Sequence, residues 1–375
     1  MRIAIPRETT PGETRVALTP SVGRRMADGH EMVLESGAGR EASFSDDAYR
    51  EAGIEVVDGL ARALEEADAV LKVRPPRERE EGHEADAIPE GALLLGLLEP
   101  YGSAELFRRL ADGGVTAMSL ELLPRITRAQ SMDALSSMAT VAGYKASLLA
   151  ANSLIKFFPM LTTAAGTIRP ATVLVLGAGV AGLQAIATAK RLGAQVEAFD
   201  IRPEVKEQVE SLGATFLEWE AEEGDEVATE GGYAREVSEE TEARERELIG
   251  RHAADADVVI TTAQVPGGGA PTLITTEMVE DMRPGSVIVD LAAASGGNCQ
   301  VTEAGETVEH ADVMVHAPLN LPASVPFHSS QMYARNVTTL LQHVTDEDGR
   351  PVVDLEDEIV DSVTVTHDGE VRWEP

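Results

Sequence analysis

Five β-preferring residues, Thr172-Val-Leu-Val-Leu176, run directly into Gly177-Ala-Gly179-Val180-Ala181-Gly182. No other stretch of the 375 residues restricts the fold so sharply. A strand that ends in GxGxxG and opens a helix belongs to a βαβ unit of a parallel sheet. Gly177 permits the tight turn, Gly179 lets the backbone approach a pyrophosphate, and Gly182 lets helix and strand pack closely. Asp200 ends the next strand about 20 residues on, where an acid accepts ribose hydroxyls. A carboxylate there repels a 2′-phosphate, so NAD(H) is expected over NADP(H). Arg202 argues the other way, since a nearby Arg can accept that phosphate. The competing reading is a glycine-rich turn that holds no ligand.

The strand–helix alternation runs on both sides of this motif. Apolar runs at 3–5, 31–35, 69–73, 92–98 and 115–120 read as strands. Helical spacing fills 20–28, 46–52, 60–67 and 104–111 between them, and 74–84 is a charged, Pro-containing loop. The longest helical pattern, 131–158, is long enough to bridge two domains. After it come strands at 172–176, 195–200, 258–262, 286–290 and 312–316, with helices at 180–192 and 204–212. A helix over 329–343 returns to the first domain, and 361–373 forms a hairpin turning at His367-Asp368-Gly369. The expected fold is α/β: two doubly wound, Rossmann-like parallel-sheet domains joined by long helices. The first takes residues 1–136 with 325–375 and the second takes 137–324. A polar insertion at 217–247 interrupts the second domain. It holds 13 acidic residues and Gly231-Gly232-Tyr233-Ala234. It reads as a hinged lid, with its mobile part at about 222–240.

Charge narrows the partners. Sixty-four acidic residues against 31 basic ones give a formal charge of −33. Such a surface repels nucleic-acid phosphates and anionic lipid. Only five of the basic residues are Lys, a balance that suits a high-salt cytoplasm, where charge repulsion is screened. An ordinary acidic protein with a partner-binding face is the plainer alternative. The single cysteine, Cys299, excludes an internal disulfide and reads as a small buried residue. The eight His have no metal-ligand spacing, so no metal is expected. The opening MRIAIPRE does not read as a signal peptide, and no apolar run reaches spanning length.

A second constellation is Arg125-Ile-Thr-Arg128-Ala-Gln130-Ser131-Met-Asp133-Ala-Leu-Ser136, between a strand end and the long helix. Arg125, Gln130, Asp133 and Ser136 crowd a loop and a first helical turn, where free N–H groups gather. From spacing alone, Asp133 is equally a helix cap and a ligand, and Arg128 equally a solvated charge.

With these residues together, the chain resembles the soluble NAD(H)-binding component, domain I of the alpha subunit, of the proton-translocating nicotinamide nucleotide transhydrogenases. The resemblance also rests on Arg15-Val-Ala-Leu-Thr-Pro, Asp200-Ile201-Arg202-Pro-Glu-Val-Lys, the Gly231-Gly232-Tyr233-Ala stretch and Gly285-Ser-Val-Ile-Val-Asp. It implies direct hydride transfer between NAD(H) here and NADP(H) on a partner component. A separate membrane component would couple that transfer to proton movement. By the same resemblance Gln130 bridges the two nucleotides, Asp133 and Ser136 hold the carboxamide, and Arg125 fixes the loop. Asp200, Ile201 and Arg202 meet the adenosine ribose. Gly232 and Tyr233 belong to the closing loop, and Ala263 and Gln264 lie against the nucleotide. A homodimer is implied, cytoplasmic and attached to the membrane's inner face through an NADP-binding beta subunit and a membrane subunit, with no lipid insertion of its own.

Two positions depart from the family: Gln264 stands where an aliphatic residue is usual, and Glu245 where a Gln is. The chain also stops soon after Trp373, where many alpha subunits continue into membrane helices, so a separate small membrane subunit is expected. Alanine dehydrogenase is the close alternative. It is similar in fold and shares Arg15 and Lys72, which in that family bind the substrate carboxylate and carbonyl. That family also carries a His near the position of Leu97, and residues 92–100 have none. Lys72 is therefore expected to be a structural cation paired with an acid. A non-catalytic NAD-sensing module is the third reading.

Overall fold

The computed structural model describes residues 1–27, 29–218, 239–265 and 267–374, with side chains outside the description at 239–243. The Tyr233 lid and Trp219 therefore lie outside the described residues. The chain divides into two compact units, Met1–Met138 with Pro322–Pro375, and Ala139–Leu321.

The first unit is built on strands β1 (Arg2–Ile5), β2 (Glu31–Glu35), β3 (Glu55–Val57) and β4 (Ala69–Leu71). A small hairpin, β5 (Glu78–Arg79) with β6 (Gly82–His83), precedes β7 (Leu93–Gly96) and β8 (Thr116–Ser119). The last strands of the chain, β18 (Thr364–His367) and β19 (Glu370–Val371), join the same sheet. Its order is β19-β18-β8-β7-β4-β1-β2-β3. The six strands from β8 to β3 are parallel, and β18 runs antiparallel to both its neighbours. The order reverses between β1 and β4, which makes their C-terminal ends the switch point of a doubly wound sheet. Apolar side chains lie on both faces, as a helix-covered parallel sheet requires. Ile3, Ile5, Leu34 and Leu71 pack on one side, and Ala4, Val70 and Leu94 on the other.

The second unit carries β11 (Thr172–Leu176), β12 (Gln195–Phe199), β13 (Thr215–Phe216), β14 (Val258–Thr261), β15 (Val287–Asp290), β16 (Thr307–His310) and β17 (Val313–His316). Their order is β13-β12-β11-β14-β15-β17-β16, parallel except for β16. The switch point here lies between β11 and β14. Ahead of this sheet stands an exposed hairpin, β9 (Leu161–Thr163) with β10 (Gly166–Ile168).

Helix Ala134–Ser153 begins in the first unit and ends in the second. It is shorter at both ends than the pattern 131–158 suggests. Thr127–Met132 winds as a tight 3-10 turn, and the chain leaves the helix after Ser153. Helix Glu239–Asp255 occupies the end of the segment read as a polar insertion, including positions 239 and 240 of the expected lid. Its charged face gives little apolar periodicity, which hid it. The hairpin at the C-terminus starts later than expected, because Glu358–Val363 is helical with Asp357 capping it. Asp368 and Gly369 both have positive φ, as a two-residue hairpin turn requires. No helix among the described residues is long and apolar enough to cross a membrane.

Candidate functional site

In the second unit the switch point is made of backbone. Gly177 has φ +96°, and a side chain there would meet Thr262 Oγ1 at 2.5 Å. A Cβ on Gly182 would fall inside the contact surface of the Gly177 carbonyl oxygen. Thr262, following β14, donates its hydroxyl to the Gly177 carbonyl at 3.1 Å and ties the turn down. Gly179 differs: no atom lies within 4 Å of where its Cβ would stand. It caps helix Val180–Arg191, whose first N–H groups lie outside the helical ladder and attract anions. Val180 is exposed, and Ala181 is half-buried beside it.

Asp200 is buried at the end of β12 and bonded to this turn. Its Oδ2 accepts the Ala178 N–H at 2.6 Å and Arg202 Nη2 at 2.9 Å. Its Oδ1 accepts the Arg202 backbone N–H and Nε, both at 2.9 Å. The Arg202 guanidinium and the Asp200 carboxylate thus form a bidentate pair. A ribose hydroxyl would compete with Arg202 for these lone pairs. Ile201 lies half-buried between them.

The loops after β14 and β15 are organised by a residue that sequence reasoning missed. Asp290 is fully buried, and its carboxylate accepts from Thr261 Oγ1, the Ala292, Asn298 and Cys299 N–H groups, and Thr302 Oγ1, at 2.7–3.1 Å. Asn298 then accepts the Ala263 N–H at 3.0 Å and donates to the Ala263 and Pro271 carbonyls. Ala263 is thereby fixed, and the exposed Gln264 donates to the Leu291 carbonyl at 2.9 Å. A usable signal was the acid at the end of the apolar run Val287–Asp290, followed by Gly296-Gly-Asn. Cys299 packs in the apolar cluster beneath, and burial pushes its thiol up to about 11, far from a nucleophile's range.

The first unit's switch point is made of charged side chains. Lys72, following β4, is buried with its Nζ 3.0 Å from Glu84 and 3.4 Å from Glu8. Arg15, also buried, donates Nε and Nη2 to the two oxygens of Glu13 at 2.7 and 2.6 Å. Arg74 reaches Glu13 at 3.1 Å, and Arg79 bridges Glu84 and Glu35 at 2.6 and 2.8 Å. Burial raises the Glu8 carboxyl above the usual range, and Lys72 offsets this only in part. Glu84 is buried too, but Lys72 and Arg79 together hold it below that range. A cavity of about 540 Å³ opens beside this cluster, lined in part by Arg7, Glu8, Glu13, Arg15 and Arg40. Leu97, near the position where a proton donor would be needed, is buried and apolar.

The 125–136 segment also belongs to the first unit. Arg125 and Gln130 are exposed, and Asp133 and Ser136 are half-buried. Asp133 caps the long helix: it accepts the Ser136 N–H at 2.8 Å and the Ser136 hydroxyl at 2.5 Å. Capping is thus realised. Arg128 pairs with Asp357 at 3.0 Å. Each unit therefore gathers its own expected site residues: Arg125, Gln130, Asp133 and Ser136 in the first, and Gly177–Gly182, Asp200–Arg202, Ala263 and Gln264 in the second. Gly232 and Tyr233 lie outside the described residues.

Comparison with known proteins fits this division. The family described as "Alanine dehydrogenase/PNT" matches with its N-terminal domain over residues 4–142 and its C-terminal domain over 146–374. The chain is 46% identical to the first of the separate pieces of NAD(P) transhydrogenase subunit alpha in Rhodospirillum rubrum, over 99% of this chain and 97% of that protein. A transhydrogenase structure from Sinorhizobium meliloti superposes with a TM-score of 0.88 at 41% identity, covering 99% of this chain and 100% of that one. Alanine dehydrogenase of Bacillus subtilis is more distant, at 30% identity over 90% of this chain and 84% of that protein. The chain belongs to the alanine dehydrogenase/PNT family, and within it stands with the NAD(P) transhydrogenase alpha subunits.

Proposed function

We propose that this chain binds NAD(H) in its second unit and exchanges hydride with NADP(H) carried by a partner component. A separate membrane component would couple the exchange to proton translocation. The observation that carries this reading is the glycine turn at 177–182, at the β11/β14 switch point and bonded to Asp200. A pyrophosphate would lie against the N-terminus of helix Val180–Arg191. Asp200, Ile201 and Arg202 would meet the adenosine ribose, and Ala263 and Gln264 the far side of the nucleotide. Gly232 and Tyr233 are proposed as its lid. Bound NAD(H) supplies the carbon that gives or receives hydride. Gln130 would span the two nucleotides, Asp133 and Ser136 would hold the carboxamide, and Arg125 would steady the loop. Hydride passing directly between two nicotinamides releases no proton, so the chain's task is to orient and to exclude water.

The sealed cations of the first unit favour this reaction over alanine oxidation. Arg15 and Lys72 face carboxylates of their own chain, and residues 92–100 contain no His. A substrate carboxylate would have to displace Glu13 from Arg15. A homodimer is proposed as the working form, supported by exposed apolar side chains at Ile155, Phe157, Met160 and Ile168 in the second unit. Attachment to a membrane would then pass through the partner subunits.

The test is an assay of the purified chain. NADH binding, with hydride exchange appearing only when the NADP-binding component is added, is the expected result. Gln130→Asn should slow exchange strongly with little change in NADH affinity. Alanine-dependent NAD reduction by the chain alone would establish the rival activity, and tighter NADPH than NADH binding would overturn the cofactor assignment.

A further inference from the structure

Helix Pro326–His343 turns a polar row toward the first unit's interior. Ser330, Tyr333 and Asn336 follow at three-residue spacing, so they share one face. All three are buried, and each holds a loop. Ser330 Oγ accepts the Val16 N–H at 3.0 Å, Tyr333 donates its hydroxyl to the Lys72 carbonyl at 2.6 Å, and Asn336 Nδ2 donates to the Ser131 carbonyl at 2.9 Å. The first two bonds serve the ion cluster. The third reaches the tight turn Thr127–Met132.

The turn is fixed from below. Ala129 and Met132 are buried in the same apolar cluster as Tyr333, Ala334 and Val337. Gln130 and Ser131, between them, are exposed. Apolar anchors set which way the turn faces but leave it free to slide on a smooth surface. A hydrogen bond to one carbonyl removes that freedom. The Asn336 amide cannot be reversed, because Ser131 presents a carbonyl and only the nitrogen can donate to it. Its Oδ1 is buried and has no hydrogen-bond partner among the described residues. The side chain therefore keeps an unpaired acceptor, a cost that packing alone does not explain.

We propose that Asn336 is a positioning residue for hydride exchange: through the Ser131 carbonyl it sets where Gln130 and Asp133 stand. This rests on the reading that the 125–136 segment serves the nicotinamide.

Asn336→Leu is the decisive variant, with Asn336→Ala as a smaller second one should Leu prevent folding. Leu keeps most of the volume and removes both the donor and the unpaired acceptor, an exchange that is nearly neutral for stability. Ser131 is exposed, so its carbonyl can turn to water. Three readouts are compared with the native chain in complex with the NADP-binding component. Backbone hydrogen exchange across 129–133 should quicken by about tenfold or more while the rest of the first unit is unchanged. The kcat for hydride transfer should fall by about tenfold or more, because small misplacements of reacting groups are costly. NADH affinity should stay within about twofold and Tm should not fall, since a merely structural role would move Tm first. Unchanged exchange protection at 129–133 overturns the proposal, and so does native turnover in a variant whose turn has loosened. Loss of Tm with general loosening also overturns it, because the residue is then structural. If the native complex transfers no hydride, or if Gln130→Asn turns over normally, the functional reading falls instead. The exchange data then still decide whether Asn336 holds the turn.

Discussion

The two sheets reverse their strand order in the same way and furnish the switch point with opposite chemistry. After β1 and β4 the chain places Glu8 and Lys72, with Glu84, in a buried cluster whose charges are spent on one another. After β11 and β14 it places Gly177, Gly179 and Gly182 against Thr262, where side chains are nearly absent and backbone is offered instead. Topology provides a place for a ligand in both units. The residues there decide whether the place is filled from within or left open. The first unit resembles a site completed by its own carboxylates. The second resembles one awaiting an anion.

The largest effect should come from closing the open site. Gly182→Ala drives a Cβ into the Gly177 carbonyl, so we expect loss of NADH binding and a second unit destabilised by about 1–3 kcal/mol or more. Native affinity in calorimetry would break the contrast between the units.

Opening the sealed cluster should instead leave the nucleotide untouched. Lys72→Met strands Glu8 and Glu84 as buried charges and should destabilise the first unit by about 3–5 kcal/mol, with NADH affinity unchanged. A fall in NADH affinity without loss of stability would mean that this cluster belongs to the ligand site after all.

The same cluster should show two signs of pH dependence. The folded Glu84 carboxyl lies below its ordinary value of 4.5, so its contribution is present at neutral pH and is lost as pH falls through the folded value. Glu8 lies above that value, so its charge is a penalty at neutral pH, relieved as pH falls through the raised value. Denaturation at pH 7 should find Glu84→Gln destabilised and Glu8→Gln near native or better. The two variants should converge below about pH 4, where both carboxyls are protonated. Equal losses at pH 7 would remove the asymmetry.

The smallest structural effect is expected at Gly179→Ala. The position has φ −75° and open space around it, so stability should change by about 0.5 kcal/mol or less. NADH affinity should nevertheless drop, because the added methyl group stands where a pyrophosphate approaches. Unchanged affinity would mean that the ligand does not come this close to the turn.

Much of this was legible in the sequence because its causes are local. β2 and β11 match their apolar runs end for end, since burial on both faces leaves a continuous run bounded by turn residues. The glycine turn was legible because left-handed φ and close approach exclude other side chains. β3, β13 and β16 were missed: short strands with exposed members carry too little pattern. Asp133 stood undecided between cap and ligand, and the hydrogen bonds from Ser136 show the cap without excluding a second role. For Lys72 the need for an acid was readable, but which acid was not.

The order of strands and helices, the place of the glycine turn and the excess of acid follow from the sequence alone. They depend on residue period, φ preference and composition, each settled within a few neighbours. Tertiary structure decided the partnerships. Glu8 and Glu84 meet Lys72 only because β1 lies beside β4. Asp290 gathers donors from two loops only because β14 lies beside β15. Asn336 reaches Ser131 across 205 residues of chain. Such pairs are set by which strands and helices become neighbours, and no local pattern carries that information.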